Sequence, residues 1–289
     1  MKPAPFDYLR PGSLADAAAA LAGEPNAKVL AGGQSLVPLL SMRLVAPSML
    51  VDINGLPDVA GIEVTDEGVR IGALARHADV LASADAARVQ PLLAMALSHV
   101  AHATIRNRGT TVGSIIHADA AAELPAVLRL LGGSVEVESS SGRRAIPADE
   151  LYVGPLETSL RHDEIAVAAY FPALPAGAGV AFDEIARRHG DYAMCGVTAL
   201  VLLDGGGSIV EARAGYLSVN DTPEVVDLTE LLAAGIDDAS LAAAGETALA
   251  QLEPADDIHA TAAYRAQLVR VLTSRVLRSA HDDALRRSA

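Results

Sequence analysis

Cysteine is almost absent from this chain of 289 residues, occurring once, at Cys195. One cysteine cannot make an internal disulfide framework. Nor can it furnish an all-cysteine iron–sulfur cluster or zinc site. Any redox chemistry must then run on an organic group or on metal centres carried by partner chains. Tryptophan is missing and aromatic residues make up 3%, so the core has to be packed mainly with aliphatic side chains. Positive charge is in deficit, with 22 Lys and Arg against 36 Asp and Glu and a formal net charge of −14. Such a surface argues against nucleic acid and anionic membranes as partners. It also repels a dinucleotide pyrophosphate at long range, so an anion of that kind must be held by local backbone dipoles and a few arginines. No apolar run reaches the ~18 residues of a membrane span, and Met1-Lys2-Pro3-Ala4-Pro5 lacks the apolar stretch of a signal peptide. A soluble, cytoplasmic protein is the expectation, long enough for two or three folding units with their own cores.

Two glycine loops stand out against these absences. In the first, the apolar run Val29, Leu30, Ala31 reads as a buried strand and leads into Gly32, Gly33, Gln34 and Ser35. Glycines there allow positive φ and close approach of bare backbone to a ligand. Successive N–H groups can converge on an anion, and Gln34 and Ser35 add side-chain donors. For a lone Gly-Gly a plain strand-to-helix turn is the commoner explanation, and the second loop tips the balance. The second loop, Arg106-Asn107-Arg108-Gly109-Thr110-Thr111-Val112-Gly113-Ser114, combines two arginines, two glycines and three hydroxyl residues ahead of Ile115-Ile116-His117-Ala118-Asp119. Together the loops suggest a phosphate-bearing ligand held from two sides. Neither fits the G-x-G-x-x-G or G-x-x-x-x-G-K-[ST] pattern, which disfavours a nicotinamide-type domain and a nucleoside triphosphatase.

These residues resemble the two flavin-binding signatures of the FAD-binding medium subunit of molybdenum hydroxylases, the family of xanthine dehydrogenase and carbon monoxide dehydrogenase. Ala186 to Ala193 and Tyr264-Arg265 to Leu277 agree as well, and the similarity runs from Pro5 to about Leu277. Two positions depart from the pattern: Val112 stands where the family has a glycine, and Ala120 replaces a proline after the acidic residue. The resemblance implies FAD in this chain, with the molybdenum cofactor on a large subunit and 2Fe–2S clusters on a small one, in a dimer of heterotrimers. It implies that Val29, Leu30, Ala31, Gly32, Gly33, Gln34, Ser35, Thr104, Gly109, Thr110, Gly113, Ser114, His117, Asp119, Leu160 and Tyr192 bind the cofactor. Asp119 would approach the flavin's sugar-like chain and Tyr192 its ring. No residue here would be catalytic towards the hydroxylated substrate. Electrons would pass from the clusters to the flavin and on to an external acceptor. A self-contained flavin oxidoreductase and a flavin-free assembly protein are the rival readings.

Taken in order, the pattern predicts an α+β protein. A strand at 6–9, a helix at 14–21 capped by Ser13, the strand before the glycine loop, a helix at 38–44 and a strand at 49–53 form a small parallel β-α-β-α-β unit. Its glycine loop lies at the C-terminal end of a strand, the usual ligand side. A middle α+β unit follows. It has a hairpin at 62–71, helices at 77–84, 91–103 and 124–131, and an alternating strand at 134–138. After a linker at 172–179, strands at 194–203 and 211–218 precede a region read as helix from Val225 onward, with caps at Thr229 and Asp237. The units are placed at residues 1–55, 56–174 and 178–285, the first two forming the FAD-binding domain and the last a C-terminal antiparallel sheet with helices.

Several side chains admit two readings. His99 and His102 lie three apart on a helix, but without ligands at matching spacing a metal site is disfavoured. Arg106 and Arg108 fit either anion contact or a solvated turn. Asp119 and Glu123 fit either a helix start or contact with ligand hydroxyls. Tyr192 fits ordinary packing as well as a ring contact, and Cys195 reads as buried and inert. The second loop is expected to meet the ligand through Thr110, Gly113 and Ser114, with Val112 in an extended conformation.

Overall fold

The computed structural model describes residues 2–288. The chain opens with a parallel sheet of β1 (Asp7–Leu9), β2 (Ala27–Leu30) and β3 (Met49–Asp52) in the order β1-β3-β2. Helices α1 (Leu14–Gly23) and α2 (Leu36–Met42) make the crossovers. Ser13 caps α1 by accepting the Asp16 N–H at 3.1 Å, and Ala17, Ala18 and Leu21 form its buried stripe. α2 begins two residues before Pro38, which occupies the first turn, where a missing N–H breaks no helical bond. The glycine loop lies between β2 and α2, beyond the C-terminal end of a parallel strand.

The middle of the chain is built on an antiparallel sheet. Its strands are β4 (Ile62–Val64), β5 (Gly68–Gly72), β6 (Ser134–Ser139), β7 (Gly142–Pro147) and a late one at Ile165–Pro172. Between β5 and β6 run α3 (His77–Ala82), α4 (Ala84–Val89), α5 (Pro91–His99), α6 (Ala103–Arg106), α7 (Thr111–His117) and α8 (Glu123–Leu130). A short α9 (Ala148–Leu151) and the two-stranded ribbon β8 (Tyr152–Gly154) and β9 (Glu157–Thr158) follow β7. The late strand, β10, lies at the centre of the sheet in the order β4-β5-β10-β6-β7. Sequence pattern does not reveal it, because most of its positions are buried and no polar–apolar alternation survives.

The last third forms the antiparallel sheet β11 (Ala178–Ala186), β12 (Ala193–Leu203), β13 (Ile209–Leu217) and β14 (Glu224–Asp227), in chain order. Helices α10 (Thr229–Leu232), α11 (Asp238–Leu249) and α12 (Ala262–Ser288) complete it. Helix does not start at Val225 as expected, because Glu224–Asp227 pairs with β13. Thr229 caps nothing; its hydroxyl accepts the Ala212 N–H at 3.1 Å and joins α10 to the sheet. Asp237 does cap α11, in a reciprocal pair with Ser240.

Two aliphatic cores result. One gathers side chains from Ala17 to Phe171 with Val180 and Leu200, and the other gathers side chains from Ala181 to Ala284. Phe171 and Tyr216 are the largest fully buried side chains. The seam between the cores brings α5 and α8 against β11, β12 and β13. Val112 is not extended: it lies in α7 and is buried. Helix rather than loop begins at Thr111 because Thr110 caps it, accepting the Gly113 N–H at 3.1 Å.

Candidate functional site

The two glycine loops are in direct contact. A β-carbon on Gly32 would lie 2.5 Å from the Arg108 carbonyl oxygen and 2.8 Å from the Gly109 α-carbon. Close approach of the second loop's backbone is by itself enough to require glycine at 32, and Gly32 also lines the cleft beside it. Gly33 takes φ +72°, the left-handed region that glycine occupies without penalty. The backbone N–H groups of Gly33, Gln34 and Ser35 have no acceptor among the described residues. Beside them opens a cleft of about 360 Å³, lined by residues that include Leu30, Gly33, Gln34, Asp52, Asn54 and Arg108. Unpaired amides beside a cleft with an arginine suit an anionic group.

A polar strap holds the loops in register. The Asn54 amide donates to the Ala31 carbonyl at 2.7 Å and to Asp52 at 2.7 Å, and its oxygen accepts from Arg76 at 2.8 Å. Arg76 reaches on to donate to the Arg108 carbonyl at 2.6 Å, and the two backbones bridge between Arg76 and Thr110. The buried His77 supports the same loop: its N–H donates to the Gly109 carbonyl, and its ring lies 3.2 Å from the Thr111 hydroxyl. Burial, followed by the Arg106 charge, lowers His77 to about 4, so the ring is neutral. Burial opposes ionisation of Asp52, but hydrogen bonds from Tyr8 and Asn54 outweigh it and hold the carboxyl below its usual range. An ionised Asp52 repels phosphate and accepts hydroxyl groups. An anion in the cleft therefore belongs on the side of Arg108 and the free amides.

Sequence reasoning missed Asp52, Asn54 and Arg76. An acid and an amide just past the end of a parallel strand are a usable signal for the first two. Arg76 offers none, because only the fold carries it to Asn54. Val29 and Leu30 end β2 behind the loop, half-buried with Ala31. Gln34 folds back to donate to the Gly32 carbonyl at 3.3 Å, and Ser35 precedes α2 without a side-chain cap bond. Arg106 does not face an anion; it donates to the Val100 and Ala101 carbonyls beyond α5. Thr104 is exposed on α6, and the Thr110 hydroxyl is committed to its cap.

α7 carries the remaining candidates away from the loops. Gly113 is exposed on it, and Ser114 and His117 are half-buried. Asp119 is not a helix cap: it accepts the Ala121 N–H at 2.9 Å in the turn before α8. Leu160 follows β9, which packs on α7, and is half-buried against the first core. Tyr192 is 60% exposed; partial burial, then the Asp119 and Glu123 carboxylates, raise its phenol above the usual value. Ser218 ties this segment to the turn after α7, its N–H donating to the Ala120 carbonyl and its hydroxyl to the Ala193 carbonyl next to Tyr192. Glu123 begins α8 and is buried; burial and then the Glu184 charge push it up to about 8. His99 packs on Phe182 at 5.1 Å and lies 3.4 Å from Glu184. Among the described residues no three His, Cys, Asp or Glu side chains are grouped to hold a metal. Cys195 is buried, which pushes its thiol up to about 12 and leaves it unreactive.

Known proteins match the chain over nearly its whole length. Residues 4–174 match the FAD binding domain in molybdopterin dehydrogenase, and residues 180–280 match the CO dehydrogenase flavoprotein C-terminal domain. The chain is 44% identical to the 6-hydroxypseudooxynicotine dehydrogenase complex subunit alpha of Paenarthrobacter nicotinovorans, over 97% of this chain and 96% of that one. It is 39% identical to the nicotine 6-hydroxylase medium subunit of the same organism, over 96% and 98%. Among solved structures, a chain of quinoline 2-oxidoreductase from Pseudomonas putida 86 superposes with a TM-score of 0.92 at 37% identity, covering 99% of this chain and all of that one.

Proposed function

This chain belongs to the FAD-binding family of molybdopterin dehydrogenases, and from that premise we propose that it is the electron-transfer medium subunit of a molybdenum hydroxylase complex. The observation that carries the reading is the pairing of the two glycine loops around unpaired amides, with Arg108 at the cleft. When bound, FAD supplies a group that accepts electrons and passes them on. The Gly33, Gln34 and Ser35 amides and Arg108 hold its pyrophosphate. Asp52 and Asn54 limit the cleft on the side where phosphate is repelled. A cleft of about 360 Å³ is at the small end of ligand pockets, ~300–1,000 Å³, so it houses only part of a dinucleotide. Ser114, His117 and Asp119 line the way from there along α7. Tyr192 would pack on the ring and restrict water, and Leu160 would add an apolar contact to the cofactor.

The remaining assignments rest on the same reading. Residues 1–55 and 56–174 make the FAD-binding domain, and 178–285 make the C-terminal domain. An iron–sulfur small subunit delivers electrons, a molybdenum-binding large subunit hydroxylates the substrate, and an external acceptor removes the electrons. The assembly is a dimer of heterotrimers, in the cytoplasm. No helix among the described residues is long and apolar enough to cross a membrane. Purified alone with FAD, the chain should show a flavin spectrum that the complex's organic substrate does not bleach; adding both partners should restore bleaching. Nicotine and quinoline, named in two of the relatives, make nitrogen heterocycles the first substrates to try. Bleaching in the isolated chain would favour a self-contained oxidoreductase, and failure to bind FAD would favour the assembly protein.

A further inference from the structure

Tyr192 reaches solvent from a segment whose neighbours are fixed. Ala193 beside it is buried against Ala126 on α8 and Leu217 on β13. β12 runs past β13 here, since the register between the two strands ends at Gly196 opposite Leu217. Side chains take over from that point. Arg265 donates to the Met194 carbonyl at 3.0 Å, and the Ser218 hydroxyl donates to the Ala193 carbonyl at 2.6 Å. On the other side of Tyr192, the Asp191 N–H donates to the Arg188 carbonyl at 3.0 Å and closes a turn. Gly190 in that turn takes φ +84°, and a β-carbon on it would lie 2.9 Å from the Ala101 carbonyl oxygen. The turn is thereby seated on the segment after α5.

Ser218 carries backbone strain in making its bond. It takes φ +59°, a region that glycine fills freely and serine does not. In that conformation its N–H donates to the Ala120 carbonyl at 2.7 Å while its hydroxyl reaches Ala193. One residue just past β13 therefore joins the start of β12 to the turn after α7. The same turn is held from another side, where the Leu156 N–H donates to the Ala118 carbonyl at 3.1 Å. A glycine at 218 would keep the backbone bond and relieve the strain. What serine adds at this position is the hydroxyl, and its acceptor is the residue next to Tyr192.

We propose that Ser218 is a positioning residue, whose hydroxyl fixes the 187–193 segment at Ala193 and so sets the direction in which Tyr192 faces the turn bearing Asp119. The use of that direction rests on the flavin reading, in which Tyr192 meets the ring. With the hydroxyl in place, the exposed tyrosine stands on a backbone anchored on both sides, at Gly190 and at Ala193. Without it, the Ala193 end is released and the tyrosine samples several directions. Contact with the ring then varies, and so does the polarity around the ring that sets its potential.

The test compares the full chain with Ser218→Gly and Ser218→Ala, which both lack the hydroxyl while only the second keeps the backbone strain. Without FAD, hydrogen exchange at 187–193 should rise about fivefold in both variants, the scale of one lost hydrogen bond, although Ser218→Gly has the higher Tm of the two. Exchange that follows Tm instead, or wild-type exchange in folded Ser218→Gly, would overturn the proposal. Should Ser218→Ala fail to fold, Ser218→Gly alone decides. With FAD bound, the flavin midpoint potential should shift in Ser218→Gly and in Tyr192→Ala, and the double variant should shift no further than Tyr192→Ala. Additive shifts would mean that the hydroxyl does not act through Tyr192, and would overturn the role. A wild type that retains no FAD would count against the flavin reading, and the exchange comparison would still decide whether Ser218 positions the segment.

Discussion

Gly32 and Arg108 touch backbone to backbone: a β-carbon on Gly32 would lie 2.5 Å from the Arg108 carbonyl oxygen. That carbonyl also accepts the Arg76 guanidinium, so neither loop can yield without breaking the strap. Gly32→Ala should force the loops apart and lower FAD affinity at least tenfold, with far-ultraviolet circular dichroism unchanged. Flavin fluorescence titration checks it, and wild-type affinity in a folded variant would count against the contact.

Gly33→Val should have a larger effect on flavin retention. A β-branched residue at φ +72° costs about 1–3 kcal/mol in backbone strain. Its β-carbon would also lie 3.2 Å from Val37 and 3.3 Å from Leu30. The relaxed loop would turn its free amides away from the cleft. Flavin co-purifying with the folded variant at wild-type stoichiometry would show that this loop is not the pyrophosphate site.

Asn54→Ala removes the amide that joins Ala31, Asp52 and Arg76. Leaving those partners unpaired should cost about 1–3 kcal/mol of stability, measured by urea unfolding. Arg76→Lys should not substitute for arginine. A single ammonium cannot reproduce the planar fork that donates to Asn54 and Arg108 at once.

Val112→Gly converts the family's departure into its usual residue. Because Val112 is buried in α7, the loss of apolar contact and of helix propensity should destabilise the fold by about 3 kcal/mol. Thermal unfolding would register this as a clear fall in Tm; an unchanged or higher Tm would mean the helix tolerates glycine here.

Arg265 anchors the C-terminal helix. It is 5% exposed and donates to the carbonyls of Met194, Ala255 and Ala260 and to Asp257. Arg265→Ala should cost about 3 kcal/mol or more, since several acceptors lose their donor. Burial works against the Asp257 carboxylate, but Arg265 and the backbone amides outweigh it and lower the group to about 2. Its contribution is present above the unfolded value and is lost as pH falls through about 2. The gap between the stability curves of wild type and Arg265→Ala should therefore narrow at the acid end, leaving the part due to the three carbonyls.

Much of this protein was legible from local sequence. Ser13 and Asp237 marked their helix starts, because a cap needs only a side chain and an amide a few residues away. Glycines after Val29-Leu30-Ala31 marked a loop beyond a parallel strand, because φ and close approach are local demands. One cysteine and a net charge of −14 bounded the chemistry before any fold was considered. Tertiary structure alone decided the rest. β10 has no alternation, since a strand covered on both faces has no polar side to show. Val112 became helical because Thr110 caps α7, against the reading of that stretch as an extended loop. Arg76 reaches Asn54, and His99 meets Glu184, across long intervals of chain. Periodicity and propensity report neighbours within a few residues. The desolvation and charge coupling that set these groups' behaviour arise only when distant segments are packed together.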